Sequence, residues 1–286
     1  MALNSINLTS GMRANLFSLQ QTSKDFEITQ KRLSTGLRVN TALDDPINFF
    51  NAQEHRLRAT DLAGRKDGMS EAIQTIKAAS VGVEGISNLI AQAKSLAQSA
   101  MSAGSTEAST FASQYATVMT QISEMATDSG YKGINLLQAG ELTVEFAPTA
   151  GDSTLKLTGF GGTSSNFTVT GLSAEITGVT AATWATSGSS TVNTVNIQTS
   201  INNLDLANGE LRTESKKLSN NLSIITAREE FSAQMINTLN DGAAKLTEAD
   251  MNEEGANMLM LQTRQALGTT SLSLAGQAAQ GVLRLF

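Results

Sequence analysis

His55 is the only histidine among 286 residues, and there is no cysteine. Zinc sites draw on several His, Cys or carboxylate ligands, and Ser-His or Cys-His triads need a positioned imidazole as base. With no thiol, and with its one imidazole on what reads as a solvated face, the chain would need an unusual Ser-Lys pair for nucleophilic chemistry, which no motif supports. His55 lies within Gln53-Glu54-His55-Arg56, which reads as a solvated helix face. Gly159-Phe160-Gly161-Gly162 is glycine-rich but lacks the Lys and following helix of a phosphate loop. Arg56, Arg58, Arg65 and Lys66 form a basic cluster, diluted by Glu54, Asp61 and Asp67 and without stacking aromatics. It reads as a patch facing acidic groups on another protein, not as a nucleic-acid site. Asp44-Asp45, adjacent and followed by Pro46, reads as a helix start. The sequence therefore predicts no enzyme, no cofactor and no metal.

Composition points to a mechanical role. Aromatic residues make up 5% of the chain, there are two prolines, and the formal net charge is -6. Such a balance favours long helices with seams of small and aliphatic side chains, and gives no reason to expect a nucleic-acid or anionic-membrane partner. Residues 1–17 carry no basic region followed by an apolar run, so no secretory signal peptide is expected there. No stretch approaches the roughly 18 apolar residues of a membrane span.

The elements emerge from the apolar spacing. Met12, Leu16, Leu19, Phe26, Leu33 and Leu37, with Ser23 and Gln30 filling the gaps, follow the 4-3 alternation of a coiled-coil seam. Gly36 is placed to end that helix as a left-handed cap. A second register runs Ile73, Ile76, Ala79, Val83, Ile86, Ile90, Ala93, Ala97 and Ala100; a third runs Phe111, Tyr115, Val118, Ile122 and Met125. The turn between them ends at Ser105 or Thr106, either of which suits an N-cap. The longest register passes from Ile197 to Leu246 without a phase slip, predicting a helix roughly 75 Å long. Asn208, Ser215, Glu229 and Ser232 are its polar occupants. The last segment has two apolar lines, one through Met258, Leu261, Leu272, Val282 and Phe286, the other through Met260, Leu267 and Leu274. A helix apolar on several faces must be buried on several faces.

Residues 141–194 follow other rules. They are rich in Gly, Ser and Thr, and the alternations at 142–146, 155–157 and 167–170 read as small strands. The fold class is thus mainly α: a long antiparallel coiled-coil bundle formed by both termini, with a small β-rich insert at the tip. Periodicity alone leaves a monomeric bundle and an assembling subunit open. Ordering a residue costs about 1–2 kcal/mol, and burying a Leu or Met returns about 1.5–3 kcal/mol. A lone terminal pair with wet apolar faces is therefore marginal until neighbours cover it.

Several stretches resemble the bacterial flagellins. Ala2-Leu3-Asn4-Ser5-Ile6-Asn7 is similar to their start, and Arg32 to Asn40 followed by Asp44-Asp45 to their most recognisable motif. Gly130 to Leu137 resembles the segment that closes their N-terminal helical block. Ala249-Asp250 through Glu254, Asn257-Met258, Gln262, Gly268-Thr269, Gln277 and Val282-Leu283 match the C-terminal end. The overall look is that of the short alphaproteobacterial members.

The resemblance implies an inner terminal coiled coil of residues 1–40 with 247–286, a helical shell of 41–140 with 195–246, and a solvent-facing insert of 141–194. It implies self-assembly into a hollow helical filament outside the cell, after export by the flagellar type III apparatus without a cleaved signal peptide. An export chaperone, a filament cap and hook–filament junction proteins are its expected partners. A junction protein is the nearest alternative, and a coiled-coil adhesin with a ligand-binding insert is another. Where receptor-activating members have Arg-x-Arg-Glu-Leu-Ala, this chain has Ala91-Gln92-Ala93-Lys94-Ser95-Leu96. The vertebrate flagellin-sensing receptor is therefore expected to respond poorly.

Overall fold

The computed structural model describes residues 10–138, 140–147, 152–160, 184 and 192–283. Among them are five helices: α1 (Ser10–Thr35), α2 (Pro46–Ser102), α3 (Ser105–Asp128), α4 (Thr194–Thr247) and α5 (Met251–Leu283). A hairpin of β1 (Glu141–Glu145) and β2 (Thr154–Thr158) lies between α3 and α4 in the chain. The chain divides into two compact units, one of residues 1–57 with 238–286 and the other of residues 58–237. The expected strand at 167–170 falls outside the described residues.

The core of the second unit follows the predicted registers. All nine residues from Ile73 to Ala100 in the second register are buried, as are Tyr115 and Ile122 of the third and Ile197, Ile201, Leu204, Leu211, Leu218 and Ile225 of the longest. Ala93, Ala97, Ala108, Ala112 and Ala126 on α2 and α3 leave little side-chain bulk in this core. Pairings between α2 and α4 run in opposite directions along the two helices. Ser70 Oγ donates to Glu229 at 2.7 Å, Ser87 Oγ lies 3.5 Å from Asn208 Oδ1, and Lys94 Nζ lies 2.5 Å from Asp205. The helices are therefore antiparallel, and two of the polar seam residues have partners across the seam. Ser232 is buried among the seam positions and Ser215 half-buried.

Local chemistry sets the ends. Asp45 accepts from the Asn48 backbone N–H at 3.1 Å, capping α2 ahead of Pro46 as the sequence suggested. That N–H is the main influence holding the Asp45 carboxyl below the usual carboxylate range. The backbone N–H groups of Thr41 and Asn40 do the same for Asp44. The N-cap of α3 is Gly104, extended at φ -70 and making no side-chain cap bond; Ser105 is already helical, so neither expected hydroxyl caps. After α3, Tyr131 and Ile134 exchange backbone bonds of 2.9 and 3.0 Å around Lys132 and Gly133, both at positive φ. Lys132 Nζ meets Glu71 at 2.8 Å, which raises its pKa. Asn135 Nδ2 donates to the α3 carbonyls of Ala126 and Thr127, closing that helix end.

The hairpin packs by one face. Leu142 pairs with Leu157 and Val144 with Leu155, and Val144 and Leu157 are buried. Arg228 of α4 sits 5.3 Å from the Phe146 ring, and Arg65 of α2 pairs with Glu145. Arg65 is thus engaged within the chain. Gly159 closes the hairpin, where a Cβ would lie 2.2 Å from the Gln138 carbonyl oxygen.

One buried cluster has no precursor in the sequence reading. Trp184 is fully buried, tilted against Tyr115 at 4.7 Å between ring centroids, and its Nε1–H donates to Ser200 Oγ at 3.2 Å. Burial pushes the Tyr115 hydroxyl up to about 12, opposed in part by its hydrogen bond with Ser200. A folded-state value above the unfolded one gives stability that is complete below pH 10 and lost as pH rises through about 12. We expect alkaline unfolding in that window to lose about 2–3 kcal/mol that Tyr115→Phe retains. Denaturant melts at stepped pH, followed by circular dichroism, check this; equal slopes for both proteins would refute it.

Candidate functional site

The candidate site is the terminal helix pair and the joint behind it. Glu254 lies opposite Arg32, and Gly268 opposite Leu19, so α1 and α5 run antiparallel. A Cβ on Gly268 would come within 2.6 Å of Leu19 Cδ1, so this glycine lets the leucine sit against the α5 backbone.

On α1, the seam residues Met12, Leu19, Phe26 and Leu33 are half-buried, as is Leu37 just beyond it, while Leu16 remains 38% exposed. On α5, Leu261 is buried and Met258 and Leu272 half-buried. The second apolar line stays in solvent: Leu267 is 66% and Leu274 61% exposed, with Met260 and Leu259 beside them. Phe17 and Ile28 of α1 are exposed as well. The Val282 side chain and Phe286 lie outside the described residues. Among the described residues the single chain therefore covers the first of the two lines that the sequence marks for burial and leaves the second in solvent.

The joint carries the chain twice, once outward at 36–45 and once back at 248–250. Gly36, at φ 70, ends α1 with its N–H on the Arg32 carbonyl at 2.8 Å. Leu37 and Glu248 form an antiparallel bridge, the Arg38 and Val39 N–H groups donate to the Thr247 carbonyl, and the Ala249 N–H to that of Gly36. Arg56 Nη2 donates to Thr247 Oγ1 at 3.1 Å. Asp250 caps α5 by accepting from the Asn252 N–H at 2.8 Å. His55 is half-buried, with its ring near Gly242, instead of lying on a solvated face.

Little of this geometry resembles a catalytic site. A cleft of about 340 Å³ is lined by Lys156, Lys217, Glu214 and Asn221, among others. Both lysines are paired, with Glu141 and Glu214 respectively. Among the described residues there is no cluster of His or carboxylates suited to a metal, and no helix is long and apolar enough to cross a membrane.

The family model for the bacterial flagellin N-terminal helical region matches residues 6–141. Flagellin FljO of Caulobacter vibrioides is 27% identical over all of both chains, and a flagellin of Brucella melitensis 25% identical over 99% of each. Over its full length the chain is similar to bacterial flagellins. Relatives from these two organisms agree with the alphaproteobacterial look of the sequence. Among solved structures, a crystal structure of Bacillus cereus flagellin aligns with 58% of this chain and 88% of its own at 15% identity, with a TM-score of 0.46.

The stretch Ala91–Leu96 lies on α2. Ala91, Gln92 and Ser95 are exposed, Lys94 and Leu96 half-buried, and Ala93 fully buried. Lys94, the one charged residue there, is taken by Asp205 of α4. Of the three Asn-x-Ser/Thr sites, Asn7 and Asn166 fall outside the described residues and Asn221 is half-buried on α4.

Proposed function

We infer that this chain is a flagellin, the structural subunit of a flagellar filament, polymerising into a hollow helix for swimming. The observation that carries the reading is the uncovered leucine line of α5 beside the exposed Phe17 and Ile28 of α1. Copies of the chain are the partner whose matching faces can cover these residues in a repeating way. We assign residues 1–40 with 247–286 to the inner tube, 41–140 with 195–246 to the surrounding shell, and 141–194 to the solvent side. On this reading the protein is not an enzyme and works outside the cell, after export without a cleaved signal peptide. The export apparatus, an export chaperone, the filament cap and junction proteins are its further partners.

Negative-stain microscopy of the purified chain, seeded and brought to assembly with ammonium sulfate, tests this reading against a form lacking residues 1–40. Long uniform filaments from the full chain alone support it; discs or monomers in the presence of seeds point to a junction protein instead. Receptor reporter cells should need far more of this flagellin than of an enterobacterial one, because the stretch at 91–96 leaves only Lys94 charged, and Asp205 holds it. An equal dose response would refute that.

A further inference from the structure

The Arg32–Glu254 pair is incompletely made. Glu254 is 6% exposed; its Oε1 accepts from Arg32 Nη1 at 2.9 Å, while its buried Oε2 has no hydrogen-bond partner among the described residues. A buried carboxylate oxygen without a donor is a standing penalty. The group best placed to answer it is Arg32 itself. Guanidinium carries five N–H donors in a planar fork that fits a carboxylate at two points, and here one nitrogen is used. The Arg32 side chain is 37% exposed, so its remaining donors face water, which competes with Oε2 for them.

Position gives this pair leverage. Arg32 is the basic residue of the last turn of α1, and Glu254 stands in the first turn of α5, each where its charge suits the helix end. The Arg32 carbonyl also receives the Gly36 N–H that ends α1. Arg32 therefore stands at the point where both passes of the chain are stitched together.

We propose that Arg32 is a positioning residue for assembly, whose one-point contact with Glu254 in the lone subunit closes to two points when neighbouring subunits cover the α1–α5 pair. This rests on the filament reading above. Covering Arg32 removes the water that holds its free donors and strengthens the remaining electrostatic contact. The fork then meets Oε2, and the joint is fixed at one angle in every subunit.

The test is seeded growth of the full-length protein, read as critical concentration, for wild type, Arg32→Ala, Arg32→Lys and Glu254→Gln. Lysine keeps the charge but has no fork, and glutamine keeps the size but one acceptor. Arg32→Lys and Glu254→Gln are each expected to raise the critical concentration about 10-fold, close to Arg32→Ala, because a two-point charge-assisted contact is lost. An Arg32→Lys protein that grows like wild type overturns the proposal while leaving the filament reading intact. Wild type that fails to grow on seeds overturns the filament reading and this proposal with it. A filament density map independent of any variant gives the second readout. A second Arg32 nitrogen within hydrogen-bond reach of Oε2 supports the proposal, and an unchanged one-point contact overturns it.

Discussion

Replacing Trp184 with alanine is expected to cost about 3–5 kcal/mol, the range for deleting a fully buried large aromatic side chain. Its ring is shut from solvent against Tyr115, and its N–H is satisfied by Ser200, which in turn donates to the Asn196 carbonyl at 3.1 Å. The helices on which Tyr115 and Ser200 sit are long and mutually packed, so they collapse poorly into the space left behind. In a unit spanning residues 58–237, that loss lowers the melting temperature by about 6–20 °C. Trp184→Phe keeps most of the volume and leaves Ser200 one hydrogen bond short, for a loss of about 1 kcal/mol. Thermal melts of the two variants separate the contributions. Equal losses would mean that the N–H bond and not ring volume dominates, and no loss in either would remove Trp184 from the core.

Trp184 also marks where the sequence stops being legible. Seam positions such as Ile76, Ile86 and Ile90 announce themselves because several turns of helix repeat the same spacing. Trp184 lies in Thr183-Trp184-Ala185, where no period says which way a side chain points or what it meets. Its one visible signal was being the sole tryptophan, in a stretch short of large apolar residues. The α3 cap failed for a narrower reason. The chain is still extended at Gly104, so helix starts one residue before either hydroxyl could serve. His55 was misjudged because its polar neighbours in sequence are not its neighbours in space; Gly242 lies across from it. The terminal seam was legible in α1 and α5 separately, but the pairing of Leu19 with Gly268 depends on an antiparallel register that one strand of spacing does not specify. The joint was the least legible part. Its bonds are mostly between backbone groups, Arg38 and Val39 to Thr247 and Ala249 to Gly36, and backbone donors leave no trace in side-chain pattern.

Converting Leu267 and Leu274 together to serine is expected to raise the critical concentration for filament growth about 10- to 100-fold while leaving the lone subunit as stable as before. These leucines are 66% and 61% exposed, so the isolated fold draws little from them. Surface substitutions of this kind usually move stability by no more than about 0.5 kcal/mol. On the filament reading proposed above, the same side chains become buried against neighbours, where each is worth about 1.5–3 kcal/mol. Even at half that value, two leucines cost each subunit about 1.5–3 kcal/mol, raising the critical concentration by about 10- to 100-fold. Leu261→Ala is the contrasting change. Leu261 is buried within the subunit, so its loss destabilises the α1–α5 pair directly, by about 2–5 kcal/mol. Melting the monomers and measuring seeded growth side by side distinguishes the two faces. If the double serine variant grows normally, the exposed line is not a subunit contact.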